Sequence, residues 1–108
     1  MRWSSGTASG DCDVSAYLVV DAQVKDTQQF LKYRELAQVA VAQFGGRYIV
    51  RGGACSILEG DWHPGRLVIV EFPSTEQARL FYDSPEYLAA RAARAEAADF
   101  DMLLVEGT

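Results

Sequence analysis

Gly45-Gly46-Arg47-Tyr48-Ile49-Val50-Arg51-Gly52-Gly53 reads as a helix stop, a short strand and a kink. Its first two glycines close the helical pattern before it, because glycine readily takes the left-handed conformation that a helix C-terminus favours. The segment from Arg47 has strand composition. Side chains alternate along an extended strand, so Arg47 and Arg51 are expected to point to one side with Ile49 between them. Gly52-Gly53 inside a strand pattern indicates a bulge or a close backbone approach. The strand is expected to continue, kinked, through Ser56-Ile57-Leu58.

Working outward, Ala16 to Ala22 carries the β-branched and aromatic residues of a strand. Tyr17, Val19 and Asp21 fall on one face and Leu18 and Val20 on the other. Asp26 offers an N-cap, and Phe30, Tyr33, Ala37, Ala40, Val41 and Phe44 then follow helical spacing. After the opening stretch, Glu59 to Gly65 is a glycine- and proline-punctuated loop. Arg66 to Phe72 is a strand with Leu67 and Ile69 on one face and Val68, Val70 and Phe72 on the other. Ser74 with Gln77 has the spacing of a capping box. Ser84-Pro85 restarts a helix, since proline fits a first helical turn, and the alanine-rich segment Glu86 to Ala98 is expected to continue it. Asp101 to Glu106 is the last strand.

The order β-α-β-β-α-β defines an α+β, ferredoxin-like fold, a four-stranded antiparallel sheet with helices on one face. A sheet wetted on its other face should alternate apolar and polar residues. The first, third and fourth strands are instead apolar on both faces. Two helical segments cannot cover both sides, so a second copy is expected to pack sheet against sheet. The result would be a symmetric homodimer enclosing a barrel-like interior, a dimeric α+β barrel.

Bulk properties are consistent with a single domain. The chain has 108 residues, 49% apolar and 23% charged, as in ordinary globular proteins. A net charge of -5 argues against a nucleic-acid partner. No apolar run reaches membrane-span length, so no membrane partner is expected. Residues 1–15, rich in Ser, Gly and Asp, are expected to be a flexible leader, with Trp3 docking on the domain as the alternative; residues 16–108 form the domain. The leader has no continuous apolar stretch of a secretory signal, and a cytoplasmic location is the default expectation. Cys12 and Cys55 are too few and too far apart for a disulfide framework or zinc site. Cys55 is expected to be a small buried hydrophobe.

Arg47 and Arg51 are the sharpest candidate pair. Arginine grips carboxylates with two parallel hydrogen bonds, so two on one face can hold an acidic ligand. The competing reading pairs them with Glu59, Asp21 or Glu71 in an ion network. Tyr87 and Arg91, four apart, share a helix face: Tyr87 can donate to an anionic oxygen beside the Arg91 charge, or the two can be plain packing. Tyr48 and Tyr17 can line the same cleft. His63 is the sole histidine, which excludes a multi-histidine metal site and makes it the obvious general base if there is one; a merely exposed loop histidine is the alternative. Asp21 and Glu59 are further acid or base candidates. No Ser-His-Asp set, phosphate loop or dinucleotide fingerprint occurs, and neither cofactor nor metal is expected. A small cleft for an organic acid or aromatic ligand, lined by Arg47, Arg51, Tyr48, Tyr87 and Arg91, is the leading reading. A non-catalytic structural or ligand-sensing dimer is the alternative.

Gly45-Gly46-Arg47, Arg51-Gly52-Gly53, Leu58-Glu59-Gly60, Phe72-Pro73-Ser74 and Ser84-Pro85-Glu86-Tyr87 followed by Arg91 occur in this order and spacing. Together they resemble the domain-of-unknown-function family thirteen-thirty, a branch of the dimeric α+β barrel superfamily, from Ala16 to Thr108. The leader departs from the family pattern, whose members begin near the Ala16-Tyr17 equivalent. The resemblance implies a fold and a dimer, not an activity. The wider superfamily includes cofactor-free monooxygenases, lactone isomerases, haem-degrading enzymes and ligand sensors, with clefts between sheet and helices. Haem degradation fits poorly, because His63 sits in a loop and not on a helix facing the sheet.

Overall fold

The computed structural model describes residues 14–108. The expected leader, with Trp3 and Cys12, lies outside them apart from Val14 and Ser15. The elements follow as β1 (Ala16–Val24), α1 (Thr27–Gln43), β2 (Arg47–Arg51), β3 (Arg66–Phe72), α2 (Thr75–Tyr82), α3 (Pro85–Ala93) and β4 (Ala98–Glu106). They make one four-stranded sheet in the order β2-β3-β1-β4, every neighbouring pair antiparallel. This is the βαββαβ, ferredoxin-like order, with the second helical segment split in two. No described helix is long and apolar enough to cross a membrane.

Local chemistry sets the helix ends. Asp26 accepts the Gln29 N–H at 3.1 Å to open α1, and Ser84 accepts the Tyr87 N–H to open α3, with Pro85 at its first position. Ser74 accepts the Gln77 N–H at 3.1 Å. The Gln77 side chain does not complete a capping box; it donates 3.0 Å to the Phe44 carbonyl, satisfying the end of α1. Gly45, at φ 81°, ends that helix in the conformation its lack of a side chain allows.

One face of the sheet packs on all three helices. Leu18 and Ala22 of β1 and Val70 and Phe72 of β3 are buried there with Phe30, Tyr33 and Val41 of α1 and with Phe81 and Tyr87 of α2 and α3. The aromatic contacts run continuously from Phe72 to Phe81 (5.1 Å between ring centres) to Tyr87 (4.4 Å).

Four expectations are corrected. The helix expected over Glu86 to Ala98 ends at Ala93, and β4 begins at Ala98, before the expected Asp101. Ala98 pairs with Val24 and Phe100 with Ala22, while the Ala97 carbonyl accepts from Lys25 and Asp26 N–H. Sheet pairing outweighs the helix preference of the alanine run, as tertiary context often outweighs propensity. The second strand stops at Arg51 and does not continue through Ser56-Ile57-Leu58: Gly52 turns away at φ 74° with its N–H still on the Leu67 carbonyl at 2.7 Å. Cys55, on the loop that follows, is therefore exposed and not buried.

The fourth correction bears on the site. In β2, Arg47 pairs with Glu71 and Tyr48 with Val70, but Val50 pairs with Ile69 and Arg51 with Val68. Ile49 is an extra residue, a β-bulge that reverses the alternation after it. Arg47 and Arg51 consequently lie on opposite faces of the sheet. Arg47 joins the face away from the helices, and Arg51 joins the helix-covered face with Tyr48.

The outer face carries Val19, Ile69, Leu103 and Val105 in register, and Leu103 is 54% exposed. Its apolar character matches the double-sided strand pattern read from the sequence.

Candidate functional site

A cleft of about 40 Å³ lies between α1 and the helix-side face of the sheet. Leu18, Val20, Val70 and Met102 make its floor, Tyr33 and Tyr87 its far wall, and Arg34, Arg51 and Arg66 with Tyr48 its cationic rim. The Tyr33 and Tyr87 hydroxyls stand 2.8 Å apart in the core. Burial, above all other causes, raises both their pKa values, and that of Tyr48, above the ordinary tyrosine value of 10.0. All three phenols are hydrogen-bond donors at neutral pH. In the Tyr33–Tyr87 pair one hydroxyl donates to the other, which leaves the second proton for a further acceptor.

Arg51 lies 4.2 Å over the Tyr48 ring and donates 2.7 Å to the Gln38 side chain. Arg66 reaches the same rim from the start of β3. Its proton affinity is lowered by burial and by the charges of Arg34 and Arg51, so the three guanidinium groups feel one another. Arg34 completes the rim from α1.

The other candidates go elsewhere. Arg47 donates to Glu71 at 2.6 Å on the outer face, where Tyr17 also donates to Glu71 at 3.2 Å. Those bonds, Arg47 first, hold the Glu71 carboxyl below its ordinary pKa. The competing ion-pair reading thus describes Arg47 and the ligand reading retains Arg51. Arg91 stacks 4.5 Å over Tyr82 and does not line the cleft, whereas Tyr87 on the same helix is 1% exposed at its base. Asp21 is buried on the outer face and accepts from Trp62 Nε1 at 2.8 Å, the Gly65 N–H at 2.9 Å and Gln23 Nε2 at 3.2 Å. It ties down the loop before β3. His63 and Glu59 are exposed on that loop, away from the cleft lining. Among the described residues no three His, Cys, Asp or Glu side chains gather as a metal site.

Sequence reading passed over Arg34, Arg66 and Tyr33. The signals were present. Arg34 lies on the apolar stripe of α1, between Phe30 and Ala37, and Arg66 alternates with Val68, Val70 and Phe72 on the helix-side face of β3. An arginine on an apolar face invites the question of what it meets.

Fold and cleft together define a ferredoxin-like α+β domain with a cation-rimmed pocket between sheet and helix. The chain belongs to the DUF1330 family, a domain of unknown function, whose profile matches residues 15–108. No curated protein matches the sequence. Among solved structures, a protein of unknown function from Rhodopseudomonas palustris superposes with a TM-score of 0.74 at 16% identity, over 89% of this chain and 84% of the other. SnoaB, a cofactor-independent oxygenase from Streptomyces nogalater, gives 0.63 at 13% identity, over 88% and 94%. A dimeric protein of unknown function and ferredoxin-like fold from Bacteroides fragilis gives 0.52 at 15%, over 86% and 96%. At these identities the likeness speaks to the fold.

Proposed function

We propose that this protein is a homodimeric small-molecule-binding domain whose cleft takes a small organic acid with an apolar body. The observation that carries the reading is the placement of Arg51, Tyr48 and Tyr87 around one apolar-floored cleft between α1 and the sheet. Small-molecule sites combine an apolar lining with a few convergent polar groups in this way. The dimer is supported by the apolar outer face and by the neighbour from Bacteroides fragilis that is described as dimeric. A thermal-shift screen against carboxylates and phenols tests the cleft. A ligand at one hundred times its Kd raises stability by about 2.7 kcal/mol through mass action alone, and the rise should shrink in Arg51→Ala. An unmoved midpoint across the screen, in both proteins, would leave a purely structural dimer.

A catalytic use of the same cleft is a second reading, favoured by the buried Tyr33–Tyr87 pair. A protonated phenol aimed at a carbonyl or phenolate oxygen can stabilise negative charge that develops there. Turnover of a binding acid, measured by oxygen uptake or loss of its absorbance and abolished in Tyr87→Phe, would establish it.

A further inference from the structure

The rim of the cleft gathers three arginines that no described carboxylate neutralises. Arg34 comes from α1, Arg51 from beyond the bulge in β2 and Arg66 from the start of β3. The ion pairs among the described residues are Lys25–Asp99 and Arg47–Glu71, so no described carboxylate meets any of the three. Scarcity of acid does not explain this, because the chain has 15 Asp and Glu against 10 Lys and Arg. Like charges repel, and burial together with the Arg34 and Arg51 charges lowers the proton affinity of Arg66.

One of the three is held in place. Gln38 and the Tyr48 ring fix Arg51. Gly52 makes room for Arg66: a Cβ at that position would lie 2.6 Å from the Arg66 Cζ and closer still to its Nη1, and the φ of +74° disfavours any side chain there. Arg34 Nε is buried and, among the described residues, has no hydrogen-bond partner. An unmet buried donor calls for an explanation, such as a bound water or ion. A cluster of guanidinium groups with no carboxylate among the described residues is the arrangement an anion relieves.

Resting on the cleft reading above, we infer that the ligand is a carboxylic acid bound with its carboxylate between Arg34, Arg51 and Arg66 and its apolar body directed toward the Tyr33–Tyr87 pair. The carboxylate is flat and pairs with guanidinium in a two-pronged manner. The cleft, at about 40 Å³, has room for roughly three water-sized groups, so the apolar body is a short one and not a ring system. The inward hydroxyl pair further favours acids that carry a hydrogen-bond acceptor away from the carboxylate.

The test uses the full chain with acetate, butyrate and levulinate, each beside its carboxamide, and with methyl phosphate. Binding is read by thermal shift and calorimetry on the parent protein, Arg34→Gln and Arg66→Gln. The expected result is binding of at least one acid but not its amide, weakened tenfold or more in both variants. Without probe, Arg66→Gln should unfold at the same or a higher temperature, because it removes repulsion and breaks no ion pair. Equal binding of acid and amide, or undiminished acid binding in both variants, overturns the head-group assignment and leaves the cleft reading standing. A preference for methyl phosphate over every acid overturns the carboxylate. No binding by any probe, with both variants unfolding at lower temperature, makes the arginines structural and removes both readings.

Discussion

Replacing Tyr87 by Phe tests whether the hydroxyl pair at the base of the cleft is a coupled unit. The ring stays, with its contacts to Phe81 at 4.4 Å and Tyr33 at 6.1 Å between centres, and only the oxygen 2.8 Å from the Tyr33 hydroxyl goes. Tyr87 is 1% and Tyr33 9% exposed, so the surviving hydroxyl does not gain ready access to water. The loss then exceeds one ordinary hydrogen bond: a stranded buried group costs about 1–3 kcal/mol. Tyr33→Phe strands Tyr87 equally. The double variant removes both polar groups at near-constant shape and should lie within about 1 kcal/mol of the parent, so the cycle should return a coupling of at least about 1 kcal/mol. Urea unfolding of all four proteins measures it, and each kcal/mol corresponds to roughly 4–8 °C in Tm for a domain of this size. A double variant whose loss equals the sum of the singles would refute the reasoning, since each hydroxyl would then be solvated independently.

The same pair fixes an alkaline response. The folded-state pKa of each tyrosine is raised by burial above 10.0, so their contribution is intact below that pH and is lost as pH rises and the unfolded chain gives up its phenolic protons. The double phenylalanine variant should therefore lose less stability than the parent between about pH 9 and 11.

Three further outcomes follow from the outer face and its loop. Glu71 is held below its ordinary pKa chiefly by Arg47; its contribution is present at neutral pH and lost as pH falls through the lowered folded value. Glu71→Gln should accordingly flatten the acid limb of a Tm–pH profile, and an unchanged limb would discount the pair. Asp21→Ala leaves Trp62 Nε1, Gln23 and the Gly65 N–H without their shared acceptor, and should cost about 1–3 kcal/mol with faster proteolysis at residues 53–65; equal cleavage rates would show that Asp21 does not anchor the loop. Leu103→Arg places a charge in the apolar outer face and should shift sedimentation from dimer to monomer while retaining the fold by circular dichroism, whereas an undisturbed dimer would place the interface elsewhere.

The sequence by itself determined the element order, the caps and the faces of β1 and β3. Those features rest on neighbours a few residues apart: Asp26 with Gln29, Ser84 with Tyr87, alternation from Leu67 to Phe72. It also carried the family, because the motifs from Gly45 to Arg91 stand in register. Where an outcome depended on long-range pairing, local pattern failed. Ala95 to Ala98 reads as helix until Val24 and Lys25 claim its strand and its carbonyl. The site failed in the same way. Counted along the strand, Arg47 and Arg51 share a side, but β3 pairs around Ile49 and puts them on opposite faces. Only that register sends Arg47 to Glu71 and Arg51 to the cleft. Only the packing of α1 over the sheet brings Arg34 and Tyr33 from α1 and Arg66 from β3 into one cleft with Arg51. Periodicity records which face a residue occupies, and the partner strand decides what that face meets.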